Sequence, residues 1–105
     1  MPQIAVIARI VLSAESAPKY VEAAREMIGP TRAEAGCELY GMGPDISDPS
    51  VIWVSEQWAS QEDLDAHLKA PHVQKFLARI ADLDMLDIEV RSYAVDEVGT
   101  VVMPE

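Results

Sequence analysis

The sequence predicts a single α+β domain in which two strand–helix halves interleave to build one four-stranded antiparallel sheet. Three observations predict it. Four segments rich in β-branched or alternating apolar residues are separated by amphipathic segments with three- and four-residue spacing. A chain of 105 residues has room for one domain and no more. Half of the residues are hydrophobic, which is ample for one core and argues against disorder.

Residues 3–12 are β-branched and lack a helical period, so they read as a strand. Ser16, Ala17 and Pro18 then supply a helix start, proline's fixed φ suiting a first turn. Ala17, Tyr20, Val21, Ala24, Met27 and Ile28 form one helical stripe, opposite Lys19, Glu22, Arg25 and Glu26. Gly29-Pro30 is expected to interrupt this helix, with a further turn through Glu34 before Gly36 ends it. Strand character returns over 37–42, followed by a turn-rich segment over 43–49. Residues 51–58 alternate cleanly, with Ile52, Val54, Glu56 and Trp58 on one face and Trp53 on the other. Ser60 is a good N-cap, and Glu62 and Asp63 sit where the helix dipole favours negative charge. That short helix should stop near Pro71. A second restarts at about His72, with Val73, Phe76, Leu77 and Ile80 facing inward, and residues 86–96 form the last strand.

The order βαββαβ is that of a ferredoxin-like fold, with helices on one sheet face. The other face needs a cover, and a second copy of the chain is the simplest, giving a homodimer with Trp53 at its interface.

The net charge of −10 repels polyanions, and no basic cluster overrides it, so nucleic acid is excluded as a partner. The single cysteine, Cys37, allows no internal disulfide and fits a reducing compartment. The apolar run over 4–12 is too short to span a bilayer and contains Arg9. It also lacks the marks of a signal peptide, so the expected location is the cytoplasm, with no membrane partner.

The stretch Glu34-Ala35-Gly36-Cys37-Glu38-Leu39-Tyr40, then Asp45, Pro49, Glu56-Gln57-Trp58, Ala66-His67-Leu68, Pro71-His72 and Phe76, resembles the antibiotic-biosynthesis-monooxygenase family across roughly residues 3–95. The resemblance implies a dimeric α/β barrel with a pocket between the sheet and helices of each subunit. Family members include oxygenases of quinols or polyketide aromatics that use neither metal nor flavin, haem-degrading enzymes, and an isomerase of a phosphorylated signal. The chain contains no asparagine, which sets it apart from the polyketide and haem branches, and residues 73–83 offer no axial histidine. A phosphate site would have only Arg9, Lys69, Lys75 and Arg79 to draw on. What remains is the quinol-type branch, acting on a small aromatic substrate and O2 with no cofactor.

Within that reading His67 is the candidate general base, because an imidazole with an ordinary pKa of about 6.5 can take a phenolic proton near neutrality. Its other reading is a core histidine held by one hydrogen bond. Glu56 shares a sheet face with Trp58 and could orient His67 or accept a substrate hydroxyl; it could equally be a structural carboxylate. Trp58, Tyr40 and Phe76 either offer flat surfaces to an aromatic substrate or are plain core. His72 is a further polar pocket group or a surface cap. No third donor joins the two histidines at a ligand spacing, so no metal site is expected. Cys37 reads as packing rather than as a nucleophile. The other functions weighed are an acid/base enzyme such as an isomerase, independent of O2, and a non-catalytic small-molecule-binding dimer.

Overall fold

In the computed structural model, which describes residues 2–105, the elements follow as β1 (Gln3–Leu12), α1 (Ser16–Arg32), β2 (Cys37–Asp45), β3 (Asp48–Trp58), α2 (Gln61–Lys69), α3 (Pro71–Ile80) and β4 (Met85–Val95). The strands form one antiparallel sheet in the order β2-β3-β1-β4, the ferredoxin-like α+β arrangement. Period-2 alternation sends Ile4, Val6, Ala8, Ile10 and Leu12 of β1, with Ile52, Val54 and Trp58 of β3, to the face beneath the helices. There they meet Tyr20, Ala23, Ala24 and Met27 of α1 and Val73, Phe76 and Ile80 of α3.

The helices cover β2, β3 and β1 but stop short of β4, where every residue from Met85 to Ala94 is exposed. On the helix-free face Leu39, Ile7, Trp53 and Tyr93 are exposed. Among the described residues no helix is long and apolar enough to cross a membrane.

Several local expectations are corrected. Helix α1 passes through Pro30 without interruption and ends at Arg32. The ring removes one N–H and crowds the carbonyl four residues back, yet Met27 and Thr31, both buried, anchor the chain on either side. Ser16 does not cap α1 with its side chain. Ser13 Oγ accepts the Ser16 N–H at 3.2 Å, and Ser16 Oγ instead accepts the Asp84 N–H at 3.0 Å, tying α1 to the approach to β4. The segment expected as a turn over 43–49 is mostly strand. Asp45 pairs with Asp48 across a two-residue connection, and Pro44 is tolerated because β2 is an edge strand. Asp45 closes that hairpin through both carboxylate oxygens, accepting from the Ser47 N–H at 2.8 Å and the Trp53 indole at 2.8 Å. Leu77 is exposed, since the inward stripe of α3 is carried by Val73, Phe76 and Ile80 alone.

Candidate functional site

The site begins with a break in the chain between two helices. Residues that precede proline are driven to extended backbone, and Ala70, with ψ of 145°, both ends α2 and starts α3, whose first residue is Pro71. Ser60 fixes the far end of α2 by accepting the Asp63 N–H at 3.2 Å. The break folds the last turn of α2 back beside the first turn of α3. It brings His67 and His72 together with ring centroids 6.2 Å apart.

Between them reaches Glu34, from the turn after α1. Its backbone is held on both sides: its N–H donates to the Thr31 carbonyl at 3.0 Å, and its carbonyl accepts the Cys37 N–H at 3.1 Å. One oxygen, Oε2, lies 2.7 Å from His67 Nδ1 and 2.9 Å from His72 Nε2. A carboxylate only accepts, so both of those ring nitrogens carry hydrogen. Among the described residues the His67 Nε2 has no hydrogen-bond partner. Gly36 completes the turn. A Cβ there would collide with the Asp63 side chain, and the Gly36 carbonyl accepts the Ala59 N–H at 2.9 Å, so only glycine lets the turn seat against α2.

The His67 ring is buried, at 4% exposure. It lies 4.6 Å from the Trp58 ring, tilted by 32°, and 5.6 Å from Tyr40. Glu56, which stands opposite Tyr40 and Val6 in the sheet, accepts the Trp58 indole N–H at 2.9 Å. Burial pushes the Glu56 carboxyl above its usual range; the indole bond and the nearby His67 draw it partly back, and Glu34 adds to the rise. Burial, helped by Glu56, also lifts the Tyr20 phenol to about 12 and Tyr40 higher still, so both stay protonated.

Two hollows flank this cluster. Glu56 opens into one of about 190 Å³ lined by Val6, Leu64, Leu68, Val90 and Ser92, beside the uncovered β4 edge. The other, also about 190 Å³, is a groove between α1 and α3 that has His72 and Phe76 in its wall and Glu26, Lys75 and Arg79 at its rim.

Set against the sequence, His67, Trp58, Tyr40 and His72 are brought together, and Glu56 adjoins them. Four corrections follow. The carboxylate that holds His67 is Glu34, not Glu56, because the Trp58 indole two residues away on the same face already occupies Glu56. Phe76 stands apart: it packs edge-on against Tyr20 at 5.2 Å and faces the α1–α3 groove rather than the hollow beside Glu56. Trp58 is fully buried, so it backs the imidazole instead of walling the hollow. The absence of a third donor beside the histidines is also overturned, since one ligand atom each from Glu34, His67 and His72 lie within 4.8 Å of one another. Glu34 was visible in the Glu-Ala-Gly-Cys motif. Its partners are 33 and 38 residues away, and spacing along a chain does not reveal such a contact. Cys37 is half-buried, and burial with Glu34 and Glu56 raises its thiol pKa, consistent with packing rather than nucleophilic attack.

The model of the antibiotic biosynthesis monooxygenase family matches residues 3–79. The Mycobacterium tuberculosis protein named "Putative monooxygenase Rv0793" is 31% identical over 80 residues, which are 76% of this chain and 78% of that protein. The solved structure of Rv0793 superposes with a TM-score of 0.82 at 28% identity, covering 92% of this chain and 99% of that one. The structure of "a putative antibiotic biosynthesis monooxygenase" from Deinococcus radiodurans superposes with a TM-score of 0.84 at 24% identity over 95% of this chain and 99% of its own, which bears on the fold alone.

Proposed function

Because the chain belongs to the antibiotic biosynthesis monooxygenase family, we propose that it oxidises a small phenol or hydroquinone with O2, using His67 as general base and no cofactor. The observation that carries this reading is the 2.7 Å contact between Glu34 Oε2 and His67 Nδ1. It fixes the hydrogen on Nδ1 and leaves Nε2 with the lone pair, the tautomer a base requires.

The aromatic ring of the substrate enters the hollow walled by Val6, Leu64, Leu68 and Val90, where its hydroxyl meets Glu56. His67 does not line that hollow, so its Nε2 has to come within reach of the same hydroxyl when substrate binds. Nε2 takes the phenolic proton, and Glu34 stabilises the imidazolium that results. The phenolate gives one electron to O2. The radical and superoxide then join at a ring carbon that bears hydrogen, para or ortho to the oxygen; the imidazolium returns its proton to the peroxide, and loss of water yields a quinone from a phenol or a hydroxyquinone from a hydroquinone. One oxygen atom enters the product and the other leaves as water, so a substrate with such a free position needs no external reductant.

Oxygen uptake measured with a panel of phenols and hydroquinones tests the reading. Activity is expected on a one-ring substrate and lost by about 10²-fold or more in His67→Ala. Unchanged turnover in that variant removes the mechanism.

The working form is taken to be a homodimer joined across the helix-free sheet face. Its support is the row Leu39, Ile7, Trp53 and Tyr93, apolar side chains left exposed on that face. Sedimentation equilibrium is expected to give twice the chain mass, and Trp53→Glu to shift it toward the single chain.

A further inference from the structure

Glu34, His67 and His72 meet a second requirement that the proposed base chemistry does not use. They bring two imidazole nitrogens and a carboxylate from three separate elements to one point, with the donor atoms within 4.8 Å of one another. We propose that this cluster is a binding site for a small divalent transition-metal cation of the zinc class. The proposal further holds that occupancy switches off His67 as a base. The second half rests on the function proposed above; the first does not.

The donor set is the first argument. Two imidazoles and one carboxylate suit Zn²⁺ and its neighbours, whereas Mg²⁺ and Ca²⁺ prefer oxygen alone. Geometry is the second. Zinc bonds of about 2.0–2.2 Å at tetrahedral angles set neighbouring donors roughly 3.3 Å apart. Here Glu34 Oε2 stands 2.7 and 2.9 Å from the two nitrogens, and all three donors lie within 4.8 Å of one another, so to hold the ion the oxygen draws back by about half an ångström and the two rings close by up to about 1.5 Å. The backbone carrying each donor is already held. Glu34 is pinned through Thr31 and Cys37, the His67 carbonyl accepts the Ala70 N–H at 3.0 Å, and the Ala70 carbonyl accepts the Val73 N–H at 3.1 Å at the start of α3.

Access is the third argument. His72 lies in the wall of the groove between α1 and α3, and the side chains of His72 and Glu34 stay 21% and 18% exposed while His67 is buried. An ion therefore has a path from solvent past His72 and Glu34. The Glu34 carboxylate favours the approach of a cation, whereas Glu26 at the rim is more than offset by Arg79 at 2.9 Å and Lys75 at 3.8 Å.

Coupling to the base follows from proton accounting on one ring. A neutral imidazole carries a single N–H. In the metal-free protein that hydrogen is on Nδ1, facing Glu34; a cation bound at Nδ1 requires the lone pair there, so the hydrogen passes to Nε2. The nitrogen that would take the phenolic proton then has no lone pair with which to accept it.

The test uses the full chain, stripped with chelator and titrated with Zn²⁺ by calorimetry and with Co²⁺ by visible absorption. One ion per chain and ligand-field bands for Co²⁺ are expected. His72→Ala, a partly exposed change, and Glu34→Gln should each weaken Zn²⁺ binding by about 100-fold or more. Circular dichroism confirms that the variants fold. No saturable binding by the wild-type chain, or equal binding by both variants, overturns the site. Neither measurement involves substrate, so inactivity toward phenols leaves the site standing. If the enzyme is active and one equivalent of bound Zn²⁺ does not slow it, the coupling is wrong while the site remains.

Discussion

Replacing Glu34 by alanine removes one carboxylate and strands two imidazole N–H groups. Hydrogen bonds to a charged acceptor contribute about 1.5–3 kcal/mol each. The His67 bond counts nearly in full, because that ring is 4% exposed and no water replaces the lost acceptor easily. The His72 bond is discounted, since its side chain is 21% exposed and solvent can take over. The expected loss is therefore about 3 kcal/mol, more than a typical substitution. At roughly 4–8 °C per kcal/mol for a domain near this size, the melting temperature should fall by about 12 °C or more. Glu34→Gln keeps an acceptor oxygen but no charge and should lose only about 1 kcal/mol. Urea and thermal melts read both, with Glu97→Ala in the exposed tail as a control expected within about 0.5 kcal/mol of wild type. Imidazole nitrogen spectra add a direct check, since the His67 tautomer should lose its preference in Glu34→Ala. Should Glu34→Ala melt with the control and leave the imidazole signals in place, the clamp does not exist in solution.

Three further outcomes follow from particular contacts. Gly36→Ala places a methyl group into the Asp63 side chain and should destabilise by about 1–3 kcal/mol; Asp63→Gly in the same chain should recover part of that loss, measurable as a double-mutant cycle in urea. Thr31 Oγ1 is the buried side-chain polar atom left without a partner among the described residues, so Thr31→Val should raise stability by about 1 kcal/mol in the same assay. Glu56 has a folded pKa raised chiefly by burial, so its contribution to stability is fully present below its unfolded pKa and declines as pH rises through the folded value. Glu56→Gln, which keeps an acceptor for the Trp58 indole, should therefore melt higher than wild type at pH 7 and lose that advantage by about pH 4.

How far the sequence carries can be judged from specific residues. Period-2 alternation in β3 placed Ile52, Val54 and Trp58 beneath the helices because one sheet face faces the core and the other does not. The Ser60 cap and the break at Pro71 were legible for a similar reason: both are set by chemistry within four residues. Pro30 misleads because a local rule met a tertiary one, with burial on both sides holding the helix through it. Leu77 misleads by one position around a helix, where stripe and edge are 100° apart. The site was legible as a list of residue types but not as a set of pairs. Glu56 looked like the natural partner of His67, since both lie on the covered side of the sheet. What decides the pairing is the reach of the turn after α1, fixed by Gly36 against Asp63, and no spacing rule contains that.

The two carboxylates beside His67 occupy opposite positions in hydrogen-bond terms, and this assigns them different parts in the proposed reaction. Glu34 faces two imidazole donors, so its negative charge is well matched and it serves to hold and orient. Glu56 accepts from one indole donor in a hollow whose wall is Val6, Leu64, Leu68 and Val90 with Ser92 at the β4 side, and its burial raises its pKa further than the indole and the nearby His67 draw it back. A buried carboxylate short of a donor is relieved by any molecule that brings one. A phenol or hydroquinone entering that hollow brings a hydroxyl together with a ring for the walls. A hydroxyl has one hydrogen, so in the proposed reaction the bond to Glu56 draws the substrate in and is given up when that same hydrogen turns to the imidazole that takes it.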